Sequence, residues 1–309
     1  MKFLITVPDV PYYIWQMLVQ INNFRRMGYE AETHYLISIQ NRRPSPYLIG
    51  IAKNAGLKCK FYFIDDTREE REYHASTKPF LVKEFLKSNP DMERETFFYT
   101  DPDVIFKEKL NMDLFTKDNI WYVSDTRSYL DSKYIKSKGE QLFIDMCDIV
   151  GIDPKLVEDN DENCGGAQWI IKNNNIAMWD EIQKVSTQLY LHMVKTATKY
   201  HPKDQEYPIQ AWTAEMWANI WVAWKHGYKS EIHPELDFCM AYDDKKRLDQ
   251  VKILHDSGGG IDPNGKHFCK VSYQKSPFNQ EIKVSKESSS YLYYQEIKNT
   301  EKNFPEMLF

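Results

Sequence analysis

Residues 96–106 read Thr-Phe-Phe-Tyr-Thr-Asp-Pro-Asp-Val-Ile-Phe, an apolar run, a turn with two carboxylates and a second apolar run. The first run suits a strand buried on both faces. Pro102 stiffens the turn between Asp101 and Asp103. Side chains two apart in an extended segment share a face. Both carboxylates can therefore address one hard cation such as Mn²⁺ or Mg²⁺, which prefers oxygen ligands. The plain alternative is an acidic surface turn, and an Asp-x-Asp pair alone does not decide between them.

Working outward, strands and helices alternate over the first 106 residues. Residues 3–7 read as a strand, followed by a helix over 12–27 that stops at Gly28. Strands are expected at 32–39 and 58–64, with a short helix over 46–54 between them. A further helix over 78–87 has Pro79 in its first turn, where a missing N–H costs little. This alternation predicts an α/β fold with a mostly parallel central sheet flanked by helices. In such sheets ligands bind beyond the carboxyl ends of the strands. Three acidic strand ends lie there: Pro8-Asp9, Asp65-Asp66 and the Asp101–Asp103 turn. Later segments predict a strand at 120–124, a helix over 139–150, a Cys-Gly-Gly-Ala-Gln-Trp loop entering a strand, a long helix over 177–200 and a Trp-rich helix over 212–227. One large domain over 1–264 is expected, with a polar C-terminal extension, 265–309, packed on it.

The chain has 309 residues, 42% of them apolar, enough for a sizeable core. A net charge of −5 argues against a dedicated nucleic-acid binder, although local basic stretches can override the average. The 8 Trp, 20 Tyr and 16 Phe are most simply core filling. The five cysteines form no Cys-x-x-Cys pair, which speaks against structural zinc and suits reduced thiols. No apolar stretch reaches the length of a membrane span, so no membrane partner is expected. Lys266, Lys270 and Lys275 read as a solvated surface.

Four other segments carry candidate chemistry. Ser76-Thr77-Lys78-Pro79-Phe80 opens a helix. Gly165, Gly166 and Gln168 belong to a glycine turn. Trp212-Thr213-Ala214-Glu215-Met216-Trp217 begins a helix on which Trp217, Trp221 and Trp224 share one face and Glu215 falls nearly opposite. Glu215 is then either a first-turn acid favoured by the helix dipole or a carboxylate directed at a ligand. His255 follows an apolar run and precedes Ser257-Gly258-Gly259-Gly260, a layout that lets backbone approach a diphosphate closely.

With these segments in place, the chain resembles glycosyltransferases of the GT-A class, in which an Asp-x-Asp after a central strand binds the metal of a nucleotide sugar. Within that class it is similar to the plant hydroxyproline arabinosyltransferases and peptidyl-serine galactosyltransferases. Their Lys-Pro helix start, Trp-x-x-Glu-Met segment and late Leu-His segment are matched at Lys78-Pro79, at 212–216 and at Leu254-His255 over roughly residues 1–260. The chain departs from them at Asp256, where those families carry an aromatic residue. It also starts without their amino-terminal anchor, so the expected setting is cytoplasmic.

The resemblance implies metal-dependent transfer of a pentose or hexose from a UDP-sugar to a hydroxyl. Asp101, Asp103 and His255 would hold the cation, which stabilises charge developing on the leaving diphosphate. Thr6, Val7, Pro8, Asp9, Asp65, Lys78, Tyr99 and Gly258 would bind the donor. Gly165, Gly166, Gln168 and Trp212 would lie on the acceptor side, with Glu215 as general base or stabiliser of an oxocarbenium-like centre. One acceptor suited to a cytoplasmic, bacteriophage-type enzyme is 5-hydroxymethylcytosine in DNA, flipped out of its duplex. The alternatives are a protein, glycan or polysaccharide hydroxyl. From another class, a nucleotide-binding or phosphoryl-transfer protein could use the same acidic pair. No Gly-x-Gly-x-x-Gly, Walker-type or Gly-x-Ser-x-Gly motif is present.

Overall fold

A computed structural model describes residues 1–200, 207–259 and 265–308. In chain order the first elements are β1 (Lys2–Pro8), α1 (Pro11–Met27), β2 (Thr33–Ile39), α2 (Pro46–Ala52), β3 (Lys60–Asp65), α3 (Thr77–Ser88), β4 (Phe97–Thr100) and β5 (Val104–Phe106). There follow β6 (Trp121–Asp125), α4 (Arg127–Leu130), α5 (Ser132–Lys138), α6 (Glu140–Val150), α7 (Pro154–Asp159), β7 (Gly165–Ile171) and α8 (Ile176–Tyr200). The chain ends with α9 (Ala214–Lys225), β8 (Ser230–Ile232), β9 (Phe238–Met240), α10 (Lys245–Gln250), β10 (Ile253–His255) and α11 (Tyr291–Asn303).

The fold is mixed α/β, as the alternation predicts, with a seven-stranded sheet in the order β3-β2-β1-β4-β7-β6-β8 flanked by helices. A three-stranded sheet, β5-β10-β9, accompanies it. The chain divides into two compact units.

The first unit comprises Met1–Asp65, Tyr99–Leu114 and Pro234–Phe309. Its strands β1, β2 and β3 are parallel. Helix α1 starts with Pro at its first turn and stops at Gly28, whose φ of +78° is a left-handed conformation that glycine adopts without strain. From Ile14 to Phe24 the helix is buried all round, polar residues included. The small sheet belongs to this unit, β10 pairing antiparallel with β5 and parallel with β9. Helix α11 packs on α1.

The second unit comprises Asp66–Phe98 and Phe115–His233. Here β6 pairs antiparallel with β7 and parallel with β8. Helices α3, α8 and α9 pack together, and Trp217, Trp221 and Trp224 of α9 are all buried. The Trp stripe is core.

Among the described residues, no helix is long and apolar enough to cross a membrane.

Candidate metal and donor site

Strand β4 is fully buried and ends at Thr100. The chain then turns over Asp101–Asp103, with Val104 N donating to Asp101 O at 3.4 Å. After the turn the chain does not stay in the large sheet: β5 crosses into the small one, where Val104 lies opposite His255. Asp256 N donates to Asp103 O at 3.1 Å. This register brings the imidazole to the acidic turn, across more than 150 residues of sequence.

One ligand atom each from Asp101, Asp103 and His255 lie within 4.8 Å of one another. Two carboxylates and one imidazole form a donor set suited to Mn²⁺ or Mg²⁺, which keep open positions for other oxygens. His255 Nε2 sits 3.4 Å from Asp103 Oδ1. Among the described residues, Asp103 Oδ1 is buried and receives no well-formed hydrogen bond. A buried carboxylate oxygen in that condition calls for a cation or water partner, so the residues fit a divalent ion.

The sequence reading missed the fourth member of the group. Lys270, expected on a solvated surface, is only 7% exposed, and its Nζ pairs with Asp103 Oδ2. The ammonium also lies 6.0 Å from the centre of the Tyr12 ring. The neighbouring Phe268, Cys269 and Val271 were the available signal, because an apolar flank on a lysine marks a buried segment.

Burial opposes Lys270's charge, but Asp103, Asp256 and Tyr12 outweigh it and hold the amine above its ordinary range. Burial likewise opposes the charge of Asp103. Lys270 and then His255 overcome it, keeping the carboxyl below the usual aspartate range. Asp256 takes the opposite course. It is fully buried, neither carboxylate oxygen makes a well-formed hydrogen bond among the described residues, and burial pushes it up to about 7 against the pull of Lys270. Burial also raises Tyr12 to about 12.

Gly258 has a φ of +82°, and a Cβ there would meet Val271 Cγ1 at 2.9 Å and Lys270 Cε at 3.0 Å. The glycine makes room for the lysine stem. Gly260 lies outside the described residues.

The other donor candidates of the first unit sit at strand ends. Asp9 accepts from Ser45 N at 2.6 Å and Ser45 Oγ at 2.7 Å. Asp65 Oδ1 accepts from Arg42 N at 2.8 Å. Both carboxylates therefore grip the loop between β2 and α2, which contains Asn41 and Arg42 at positive φ. Thr6 Oγ1 is buried with no hydrogen-bond partner among the described residues. Val7 and Tyr99 are buried, and Pro8 is half-buried.

The second unit holds the remaining candidates. Glu215, 3% exposed, occupies the first turn of α9. Its Oε1 accepts from Asn219 Nδ2 at 2.6 Å, and its Oε2 lies 3.5 Å from Lys78 Nζ. Tyr73 stacks on Tyr190 with ring centres 4.5 Å apart. Its hydroxyl donates to Trp212 O at 2.7 Å and accepts from Glu215 N at 2.8 Å. That hydroxyl staples Trp212, 62% exposed, to the turn bearing Glu215. Gly165 and Gly166 have packing reasons: a Cβ would sit 2.3 Å from Ser124 O in the first and 2.6 Å from Met216 Cε in the second. Gln168 is buried and accepts from Ser124 Oγ at 2.6 Å.

No protein-family model matches the chain, and no curated protein matches it. Among solved structures it is similar to the galactosyltransferase LgtC in complex with donor and acceptor sugar analogues, with a TM-score of 0.45, 11% identity and the whole of both chains covered. At that identity and TM-score the likeness assigns neither a family nor an activity to this chain.

Proposed function

We propose that the chain is a divalent-cation-dependent glycosyltransferase of the GT-A type, taking its sugar from a UDP-sugar. The observation that carries this reading is the Asp101–Asp103–His255 group, set at the carboxyl end of a buried strand. Ligand sites in α/β sheets lie at such ends. Asp101, Asp103 and His255 would hold Mn²⁺ or Mg²⁺, which when bound offsets charge growing on the departing diphosphate.

Lys270 would add a second positive group to the diphosphate, held in place by Asp103 and the space that Gly258 leaves. Thr6, Val7 and Pro8 would line the uridine, with Tyr99 behind them. Asp9 and Asp65 would shape that site through the loop they grip. For the acceptor we propose Glu215, paired with Lys78, as the group that receives the hydroxyl proton or faces the electron-poor sugar carbon. The exposed indole of Trp212 would supply a stacking face. Gly165, Gly166 and Gln168 would support it.

The acceptor in this proposal is a hydroxyl, with 5-hydroxymethylcytosine in DNA as the first candidate and a protein, glycan or polysaccharide hydroxyl as the alternative. The test is a screen of UDP-sugars for Mn²⁺-dependent UDP release, with and without hydroxymethylated duplex. Release that is lost in chelator and in Asp103→Ala supports the reading. Full activity in chelator overturns it. If DNA is the acceptor, its binding should weaken steeply with salt.

A further inference from the structure

Two of the three proposed cation ligands, Asp101 and Asp103, lie on a six-residue segment, 101–106, which neighbouring elements hold in place. One edge of it pairs with β10, which carries His255. Among the described residues, the other edge faces no strand of the small sheet. Two side chains of α1 take the place of one there.

Gln20 is fully buried, and its Nε2 donates to Asp101 O at 2.8 Å and to Val104 O at 2.9 Å. Both carbonyls can only accept, so the amide nitrogen must face them. The oxygen on the other side, Oε1, accepts from Tyr35 OH at 3.1 Å. One turn along the helix, the buried Asn23 makes a reciprocal pair with Phe106. Its Oδ1 accepts from Phe106 N at 2.9 Å, and its Nδ2 donates to Phe106 O at 2.9 Å. The second amide hydrogen of Asn23 goes to Glu296 Oε1 at 3.2 Å.

Residues three apart on a helix share a face. Two carboxamides on one face of α1 therefore satisfy four backbone groups of the segment: Asp101 O, Val104 O, Phe106 N and Phe106 O. The Asp101–Val104 turn carrying both carboxylates is fixed at its two ends by Gln20.

We propose that Gln20, assisted by Asn23, is a positioning residue for the cation ligands. It holds the Asp101–Val104 backbone so that Asp101 and Asp103 meet His255 at coordination distance. The proposal rests on the cation reading above and extends it to residues that never touch the ion. An apolar side chain of the same size at position 20 would fill the space but would take the amide donor away from the Asp101 and Val104 carbonyls.

The experiment measures Mn²⁺ binding without any substrate, from the loss of the electron paramagnetic resonance signal of the free ion. The proteins compared are the wild type, Asp103→Asn, Gln20→Met and Met17→Ala. Met17 is fully buried on the same helix, so Met17→Ala reports what loss of stability alone does to binding. Gln20→Met is expected to weaken Mn²⁺ binding about tenfold, as removal of groups that orient metal ligands does, with Met17→Ala close to the wild type. Equal binding in Gln20→Met and the wild type, with Asp103→Asn clearly weaker, overturns the positioning role and leaves the cation site standing. No difference between the wild type and Asp103→Asn overturns both. Should Gln20→Met fail to fold, Tyr35→Phe removes only the hydroxyl that orients the Gln20 amide. Weaker Mn²⁺ binding in that variant supports the role, and unchanged binding overturns it.

Discussion

Lys270 Nζ closes on Asp103 Oδ2 from 167 residues further along the chain, with both groups buried. The ammonium thus neutralises the same carboxylate that is proposed to take a divalent ion. Removing it should leave Asp103 and the buried Asp256 without their cation. Lys270→Met is expected to cost about 3–5 kcal/mol in metal-free protein, the usual penalty for stranding one partner of a buried pair. Added Mn²⁺ should return part of that loss, because an ion bound only by the folded state stabilises it. Urea unfolding with and without Mn²⁺ checks both parts. A variant as stable as the wild type would mean that the pair contributes nothing.

Asp256 sets a pH dependence of opposite sign to that of most carboxylates. Its folded value, raised to about 7, lies above the ordinary value of about 3.9. Between these the folded chain keeps a proton that the unfolded chain has lost. Stability from this group is therefore greatest below about pH 4 and falls as pH rises towards 7, by roughly 1.4 kcal/mol per pH unit at most. Asp256→Asn removes the penalty, so the variant should gain on the wild type more at pH 8 than at pH 4. Thermal unfolding of the metal-free proteins at both pH values measures the difference. A gain independent of pH counts against a buried, protonated Asp256.

These two groups also mark where the sequence stopped being readable. The α/β class and elements such as α1 and β4 follow from strong local signals: apolar runs, a glycine stop, a proline in a first turn. Asp101, Asp103 and His255 could be named because acids at a strand end and a histidine before glycines have a chemical reason to occur. The jump of β5 into a second sheet was not legible, since a three-residue strand carries no periodicity. Lys270 left only a short apolar flank, Phe268, Cys269 and Val271, as its trace in the sequence. Its partners, Asp103 and the ring of Tyr12, lie more than 150 residues away in the sequence and meet it only in the folded chain. Gln16, Gln20 and Asn23 did leave a trace, a polar stripe at helical spacing inside an otherwise apolar helix. Read on its own, such a stripe suggests the solvated face, whereas all three residues are buried.

Glu215 offers a separate test in the second unit. Glu215→Gln keeps the side chain's shape and an oxygen for Asn219, but gives Lys78 no charge to pair with. If Glu215 acts on the acceptor, transfer should fall by about 10²-fold or more, the range for a positioned acid or base. Mn²⁺ binding should be unchanged, because every cation candidate lies in the first unit. Steady-state transfer assays beside the resonance titration decide the matter. Normal transfer would reduce Glu215 to a helix-start residue whose work is to pair with Lys78.

Glu296 extends the same reasoning to the C-terminal helix. It is 2% exposed and accepts from Asn22 Nδ2 at 3.1 Å, from Asn23 Nδ2 at 3.2 Å and from Arg26. Asn23 is the residue whose amide grips Phe106, so α11 reaches the cation segment through one carboxylate. Glu296→Ala strands the two amides and a half-exposed guanidinium. It is expected to cost about 2–3 kcal/mol, since unsatisfied buried donors lose their full desolvation penalty. It should also weaken Mn²⁺ binding, by less than Gln20→Met does, because Asn23 keeps its two bonds to Phe106. Lys302→Ala, on the exposed face of the same helix, should change neither quantity. Urea unfolding and the resonance titration on the three proteins separate the outcomes. Loss of stability with unchanged Mn²⁺ affinity would confine Glu296 to docking α11, whereas parallel losses would make the C-terminal helix part of the cation site's support.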